Sequence, residues 1–227
     1  MPSFTRVAAL VGLIGALAAG IAHAQEEFPP PQGKGRIVVV ASGMSGPDHY
    51  RAVSREIAKL GYDVMLFDGN RMENTHGQGV KDAILRAQQA PHGLPGKVAI
   101  VGFSLGGGES LFWATPWDDL VAGVVEWYPA TGFIQHVDFF AQRLRVPVLM
   151  FAGEADHFRD GCCLASKAHI LADAATAAGR DFQLYTYPDT DHDFVIDGAH
   201  YNPRAYQDAF ARTADQLRKY LGDPASP

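Results

Sequence analysis

The sequence has few of the features that mark several large classes of protein. It contains only two cysteines, so a framework of several disulfides and the repeated cysteine pairs of zinc ribbons are both excluded. It has no cluster of lysine or arginine, and its net charge of −6 provides no electrostatic reason to bind nucleic acid or anionic lipid. After residue 24, no stretch approaches the roughly 20 apolar residues that span a bilayer. We therefore expect a small-molecule partner, and neither nucleic acid nor a membrane.

The first 24 residues have the pattern of a signal peptide. Arg6 supplies a positive charge, residues 7–21 form an apolar run rich in alanine, glycine and leucine, and Ala22, His23 and Ala24 form a small-x-small cleavage site. We expect an exported protein, periplasmic or secreted, whose mature chain begins near Gln25. An uncleaved amino-terminal anchor is the alternative.

The two cysteines are neighbours, Cys162 and Cys163. Export permits oxidation, but a bond between adjacent residues requires a distorted connecting peptide. The sequence therefore favours two free thiols over a vicinal disulfide or a bond between subunits. A metal or redox site with His157 and His169 is a weaker alternative, because two adjacent cysteines cannot easily ligate one tetrahedral ion.

Strand-like and helix-like patterns alternate along the rest of the chain. Residues 25–35 are polar and proline-rich, and they predict an extended lead-in without a core of its own. Six predicted strands follow, each with a helical pattern after it, at residues 36–41, 63–67, 97–101, 121–128, 146–152 and 182–187. This alternation predicts an α/β fold over residues 36–221, with a doubly wound, mostly parallel sheet, helices on both faces, no lid domain and a tail at 222–227.

The stretch KVAIVGFSLGGG at residues 97–108 reads as strand, sharp turn and helix, with a G-x-S-x-G pattern at the turn. In that context the pattern predicts a nucleophile elbow, which exposes the Ser104 hydroxyl above the sheet. Gly102 and Gly106 are needed where the helix crosses the strand closely. The alternative is a glycine-rich turn with an idle serine, but a phosphate-binding loop would need a lysine that is missing here.

A serine nucleophile needs a base and an orienting acid, and in this fold they follow later strands in the order acid, then histidine. His192 lies just beyond the sixth predicted strand and is the predicted base, with His157 as its closest rival. Asp156, beyond the fifth strand, is the predicted acid, and Glu154 is the substitute. Asp189, Asp191 and Asp193 rank lower because they are too close in sequence to His192.

The remaining parts of the predicted site come from the backbone and from one strand end. Leu105, at the start of the helix, is expected to donate its backbone N–H to a substrate oxyanion, together with Gly43 or Met44 from the loop after the first strand. Trp127 and Tyr128 end the strand beside the elbow strand. They are candidates for lining the acyl pocket, with a place in the core as the equal alternative.

The stretches GFSLGG (102–107), AGEADHF (152–158) and YPDTDHDF (187–194), in this order, resemble those of the dienelactone hydrolase family of α/β-hydrolases. The resemblance covers nearly all of residues 36–221 and implies the α/β-hydrolase fold. It places the family's nucleophile, acid and histidine on Ser104, Asp156 and His192. The family's type enzymes use cysteine as nucleophile and act on a carboxylate-bearing lactone that arginines help to hold.

This chain departs from the type enzymes, because it has serine as the nucleophile and because Arg71, Arg159 and Arg204 match no arginine motif of the family. The resemblance therefore implies a serine carboxylesterase acting on an ester or lactone, more than a hydrolase of dienelactone itself. No cofactor or metal is expected. The alternative is a catalytically inactive protein of the same fold that binds a ligand or partner.

Overall fold

In a computed structural model, which describes residues 25–224, seven strands form one sheet in the order β1-β3-β2-β4-β5-β6-β7. β1 pairs antiparallel with β3, and all other neighbours are parallel. The strands are β1 Gln25–Phe28, β2 Ile37–Ala41, β3 Asp63–Phe67, β4 Val98–Phe103, β5 Val121–Trp127, β6 Val148–Gly153 and β7 Phe182–Tyr187. The predicted mostly parallel sheet is confirmed.

Six helices cover the sheet: α1 Arg51–Lys59, α2 Gln78–Ala87, α3 Ser104–Trp113, α4 Val137–Arg143, α5 Ala165–Ala177 and α6 Pro203–Leu221. Apolar residues of α1 and α6 pack on one face of the sheet, and those of α2 to α5 pack on the other. The predicted α/β class, with helices on both faces, is therefore confirmed. Within residues 25–224, no helix combines the length and the apolar character that crossing a bilayer requires.

The continuous apolar runs of the sequence become strands that are buried on both faces. Every residue of β2 and of β6 is buried. Side chains alternate along β2, so Val39 faces the core beneath α2 to α5, whereas Val38 and Val40 face the core beneath α1 and α6. A sheet covered on both sides requires such uninterrupted hydrophobic strands, which is why the central strands were predictable.

The lead-in predicted for residues 25–35 is wrong at its start, because Gln25–Phe28 forms the edge strand β1. The four residues pair with β3 from Phe67 to Val64, and Phe28 packs into the core under α1. The sequence QEEF has no apolar pattern because an edge strand has solvent along one side. Its pairing depends on backbone hydrogen bonds to β3, which leave no signal in side-chain type.

The strand order places a crevice where β2 and β4 lie side by side. From β2 the chain turns outward to β3, then crosses back to β4 and continues outward in the opposite direction. The loops after β2 and β4 therefore separate at their carboxyl ends, which is where open α/β sheets bind ligands. Gly43 and Ser104 follow these two strands.

Candidate active site

Ser104 lies at the turn between β4 and α3, in a backbone conformation that is unusual for any residue except glycine. Its φ is 49°, in the left-handed region, and it is the first residue of α3. Such a conformation costs on the order of 1–3 kcal/mol and persists only where the surrounding structure holds it. The expected sharp turn is therefore present, with Ser104 at its apex.

The two glycines of the elbow are needed because of close backbone contacts. A Cβ on Gly106 would lie 2.6 Å from the carbonyl oxygen of Ala41, and one on Gly102 would lie 2.6 Å from the Cα of Gly107. Both distances are shorter than any real Cβ contact. α3 thus crosses the ends of β2 and β4 at a distance that only glycine permits, as the G-x-S-x-G pattern predicts.

Ser104, His192 and Asp156 form a continuous chain of hydrogen bonds. Ser104 Oγ lies 2.9 Å from Nε2 of His192, and Nδ1 of the same ring lies 2.8 Å from Oδ2 of Asp156. All three residues are nearly inaccessible, with 6%, 5% and 1% of their surface exposed. When the Nδ1–H group donates a hydrogen bond to Asp156, Nε2 carries the lone pair that can accept the proton of Ser104.

Pairing between β6 and β7 brings the acid loop to the histidine loop. Beyond the strands, the Glu154 N–H donates to the Tyr187 carbonyl at 3.0 Å, and the Ala155 N–H donates to the Thr190 carbonyl at 3.0 Å. The carboxylate of Asp156 also accepts a hydrogen bond from the Phe158 N–H at 3.0 Å, through Oδ1. The acid therefore has one oxygen held by its own loop and the other directed at His192.

The structure does not bring the rival residues to Ser104. Glu154 is exposed and lies 3.4 Å from His169, and a hydrogen bond with Thr186 is the main cause that lowers its pKa. His157 is also exposed. Of the predicted alternatives, only Asp193 lies at the site, where it pairs with His49 at 3.0 Å.

Two aromatic rings hold the imidazole of His192. The Phe158 ring stacks on it, with a centroid distance of 4.4 Å and an interplanar angle of 5°, and the Tyr128 ring meets it edge-on at 4.7 Å. The Tyr128 hydroxyl donates to Oδ1 of Asp193 at 3.3 Å. Sequence reasoning missed the role of Phe158, although Phe158 ends the AGEADHF stretch.

Neither of the aromatic candidates for the acyl pocket lines the cavity beside Ser104. Trp127 is fully buried in the core beneath α6, where its Nε1–H donates to Thr213 Oγ1 at 3.3 Å. Tyr128 is also fully buried and packs against His192. Both residues therefore belong to the core, as the alternative prediction has it, and Tyr128 in addition contacts His192.

The predicted oxyanion donors lie on two backbone segments next to Ser104, the start of α3 and the loop after β2. Leu105 is the second residue of α3, and the amides of a first helical turn have no partner within the helix. A Cβ on Gly43 would lie 3.0 Å from the Cβ of Ser104, so the loop after β2 lies directly against the serine. Met44 lines the cavity. All three predicted backbone donors are therefore near the serine, and Gly43 and Met44 both stay candidates.

A cavity of about 160 Å³ lies against Ser104 and His192. Burial, aided by the charge of Asp193, raises the pKa of Tyr50, whose ring forms part of the wall, so its hydroxyl stays protonated at neutral pH. The arginines considered from sequence, Arg71, Arg159 and Arg204, are not among the lining residues. These are Met44, Ser45, Tyr50, Ser104, Phe158, His192, Asp193, Ala199 and His200.

Cys162 and Cys163 are joined by a disulfide, so the sequence-based preference for free thiols is wrong for this structure. The turn that carries the disulfide is tied to the loop after β5, because the Cys162 carbonyl accepts hydrogen bonds from the N–H groups of Thr131 and Gly132 at 2.9 and 2.8 Å. These tertiary contacts hold the local backbone of the bonded pair. The alternative prediction was a metal site formed by the two cysteines with His157 and His169. In the described part of the chain, these residues form no such group of potential ligands.

Glu126 lies fully buried on β5, beneath the elbow. Ser110 of α3 donates a hydrogen bond to Oε1 at 2.8 Å, and Oε2 has no partner within residues 25–224. A Cβ on Gly107 would lie 3.1 Å from Oε2, so the carboxyl group fills the space under the first turn of α3. Burial raises the pKa of Glu126 well above its ordinary value, which favours the neutral acid in the folded protein.

We expect Glu126→Gln to reduce the loss of stability that accompanies rising pH. A carboxyl group whose pKa is raised by folding stabilises the protein fully below its unfolded pKa of 4.5, and this contribution is lost as pH rises toward the folded pKa. Glutamine keeps a Ser110 partner and does not titrate. Above about pH 4.5, the free energy of unfolding measured with urea should fall less steeply with rising pH in Glu126→Gln than in the wild type, by up to about 1.4 kcal/mol per pH unit.

The comparison must be with the wild type at each pH, because burial also raises the pKa of Asp63 and of Glu109 to about 7. These two groups contribute to the slope in both proteins and cancel in the difference. Identical slopes for the wild type and Glu126→Gln would show that Glu126 is ionised in the folded state.

Residues 65–221 match the model of the dienelactone hydrolase family. The chain is also 26% identical over 159 residues to Protein usf of Aquifex pyrophilus, a match covering 67% of this chain and 63% of that relative. The chain thus spans less than two thirds of the length of that curated relative.

Solved structures resemble the whole described fold. A putative dienelactone hydrolase from Klebsiella pneumoniae has a TM-score of 0.71 and 22% identity, covering 86% of this chain and 92% of its own. A thermophilic esterase from Thermogutta terrifontis with propionate bound has a TM-score of 0.64 and 20% identity, covering 89% and 91%. A dienelactone hydrolase-like promiscuous phosphotriesterase from metagenomic libraries has a TM-score of 0.69 and 16% identity, covering 87% and 99%. At these identities, the likeness demonstrates the fold alone.

Proposed function

Because this chain belongs to the dienelactone hydrolase family, we propose that it is a serine hydrolase that cleaves carboxylic esters or lactones through an acyl-serine intermediate. One observation carries the proposal: Ser104 stands at a strained strand-to-helix turn and is linked through His192 to the buried Asp156. That arrangement combines an activated nucleophile, a base and an orienting acid.

The reaction begins when Ser104 Oγ attacks the carbonyl carbon and His192 Nε2 takes the serine proton. Asp156 holds the ring tautomer and stabilises the imidazolium that forms. The leaving alcohol takes the proton from His192 as the tetrahedral intermediate collapses. A water molecule then attacks the acyl-serine with His192 again as base, which releases the acid and restores Ser104.

The negative oxygen of the tetrahedral intermediate is stabilised by backbone N–H groups. Leu105 provides one, at the amino terminus of α3, where the helix dipole also favours negative charge. Gly43 or Met44 provides the second, from the loop after β2. Backbone donors held by a helix start and by a short loop need little reorganisation during the reaction, which favours such a role for these groups.

The cavity favours a short, uncharged acyl or alcohol group. It is small, at about 160 Å³, and the carboxylate of Asp193 forms part of its wall. A substrate carboxylate would meet this negative charge, and no arginine lines the cavity to hold it. These features support a simple ester or lactone over a carboxylate-bearing lactone.

Two features of the related structures agree with this proposal. The Thermogutta terrifontis esterase was solved with propionate and with butyrate bound, and it was also solved phosphorylated by paraoxon. Short acids are the products expected of the small cavity described here, and organophosphates react with activated serine hydroxyl groups. We extend both properties to this chain as part of the proposal.

The proposal is tested by incubating the protein with a fluorophosphonate and identifying the modified peptide by mass spectrometry. The expected result is one adduct per chain, on Ser104, that is absent from the His192→Ala variant because the base is required to activate the serine. A folded protein that forms no adduct would instead favour a scaffold used for binding.

We also propose that the protein is exported, on the evidence of residues 1–24. That segment lies outside the described residues, and the proposal depends on its charge, apolar run and cleavage site. Amino-terminal sequencing of the protein from its native host should yield a chain beginning near Gln25. A chain that retains residues 1–24 would contradict cleavage.

A further inference from the structure

The disulfide lies directly beside the acid and the base of the site. One ligand atom from each of Asp156, Cys163 and His192 can be chosen so that all three lie within 4.8 Å of one another. The three residues are 1%, 3% and 5% exposed. Carboxylate, thiolate and imidazole are the three side-chain types that bind zinc in proteins. The described structure thus groups a potential ligand set around the catalytic histidine.

The oxidation state of Cys163 decides whether that set can bind metal. In the disulfide, Sγ is bonded to Cys162 and has no thiolate charge, and the thiolate is the form that ligates zinc. The backbone of the turn is held separately, by the Thr131 and Gly132 N–H groups that donate to the Cys162 carbonyl. Breaking the sulfur–sulfur bond therefore leaves Cys163 anchored near Asp156 and His192.

We propose that reduction of the Cys162–Cys163 disulfide creates an inhibitory zinc site formed by Cys163, Asp156 and His192, and that the disulfide keeps this site closed. A dithiol reductant supplies two electrons and two protons, and is itself oxidised to a disulfide while both cysteines become thiols. Zinc then binds with release of the Cys163 thiol proton.

The geometry requires only a small rearrangement. Zinc binds sulfur at about 2.3 Å and nitrogen or oxygen at about 2.0–2.2 Å, so the ligands of a tetrahedral site lie roughly 3.5 Å apart. Three ligand atoms that all lie within 4.8 Å of one another can reach that spacing through small shifts, including rotation of the freed Cys163 side chain. His192 also lines the cavity, and we assign the fourth ligand position to water.

Zinc bound at this site prevents His192 from acting as a base. A neutral imidazole has one nitrogen lone pair, and its other nitrogen carries a proton. Whichever nitrogen binds the metal, His192 has no lone pair left to accept the proton of Ser104. The predicted inhibition of hydrolysis therefore rests on the proposed function, whereas the predicted zinc binding does not.

Two single substitutions distinguish the effect of the Cys163 thiol from the effect of losing the disulfide. Cys162→Ala and Cys163→Ala both abolish the disulfide, but only Cys162→Ala keeps the Cys163 thiol beside His192 and Asp156. Zinc binding is measured by competition with a chromogenic chelator, and ester hydrolysis is followed on the same samples with and without zinc. Oxidised and reduced wild-type protein, which carry no substitution, are measured in parallel.

We expect Cys162→Ala and the reduced wild type to bind one zinc ion per chain and to lose at least about 10-fold of their activity, because the bound base is unavailable. The oxidised wild type and Cys163→Ala should bind no zinc at this site and keep their activity. Equal zinc binding by Cys163→Ala and Cys162→Ala would overturn the proposal, as would the absence of binding to the reduced wild type. Zinc binding without any measurable hydrolysis in any sample would leave the site standing and count against the proposed function alone.

Discussion

Replacing Ser104 with alanine is expected to lower kcat/KM for a short ester by at least about 10³-fold. The hydroxyl is the atom that forms the acyl intermediate, and no other hydroxyl lies within hydrogen-bonding distance of His192 Nε2 in the described structure. The remaining amides and cavity can still bind substrate, so residual hydrolysis by water is expected to persist at a low level. KM should change far less than kcat.

The loss of activity in Ser104→Ala must be distinguished from a loss of folding. Ser104→Ala removes only one oxygen from a residue held at a φ of 49°, where alanine is about as strained as serine, so the thermal unfolding midpoint should change little. Ser54 is an equally buried serine on α1, and its hydroxyl donates to the Tyr50 carbonyl. Ser54→Ala should retain activity within a few-fold. Wild-type activity in the Ser104→Ala variant would show that Ser104 is not the nucleophile.

Replacing Asp156 with asparagine is expected to reduce kcat by about 10³- to 10⁴-fold while the fold is kept. Asparagine occupies nearly the same volume, but its NH2 group can donate a hydrogen bond to Nδ1 of His192. That interaction favours the tautomer with its proton on Nε2, which cannot accept the proton of Ser104 at 2.9 Å. The effect is therefore on catalysis, and steady-state kinetics at saturating ester should show it in kcat.

Glu154→Gln is the matched control for the acid. Glu154 lies two residues before Asp156 on the same loop, but it is exposed and interacts with His169. Its substitution should leave kcat within about two-fold, since exposed ion pairs contribute little. A large loss for Glu154→Gln, together with near-normal activity for Asp156→Asn, would transfer the role of the acid to Glu154.

The predictable features of this protein have local signatures in the chain. The apolar runs of the central strands, such as β2 and β6, are continuous because the sheet is covered on both faces there, and a run of that kind is visible without knowledge of its neighbours. The elbow is local as well, because the glycines on either side of Ser104 are required by the contacts of one turn. Asp156 and His192 were located through strand order, since each follows the carboxyl end of a late strand.

Other features depend on contacts between distant segments and were not predictable. Gln25–Phe28 is a strand because β3 offers an open edge, and its own residues have no strand pattern. Trp127 packs beneath α6, while the next residue, Tyr128, packs against His192. The choice between core and pocket for such a pair depends on which elements cover each face of the sheet.

The sequence by itself determined the α/β alternation, the elbow and the order of serine, acid and histidine, because each depends on residues that are close along the chain. Only the tertiary structure decided which acid reaches His192, which rings hold that imidazole and how near Cys163 lies to both. Those outcomes are set by distances between loops that begin on different strands, such as the 2.8 Å between His192 Nδ1 and Asp156 Oδ2. Packing of the sheet establishes these distances, and no spacing along the chain encodes them.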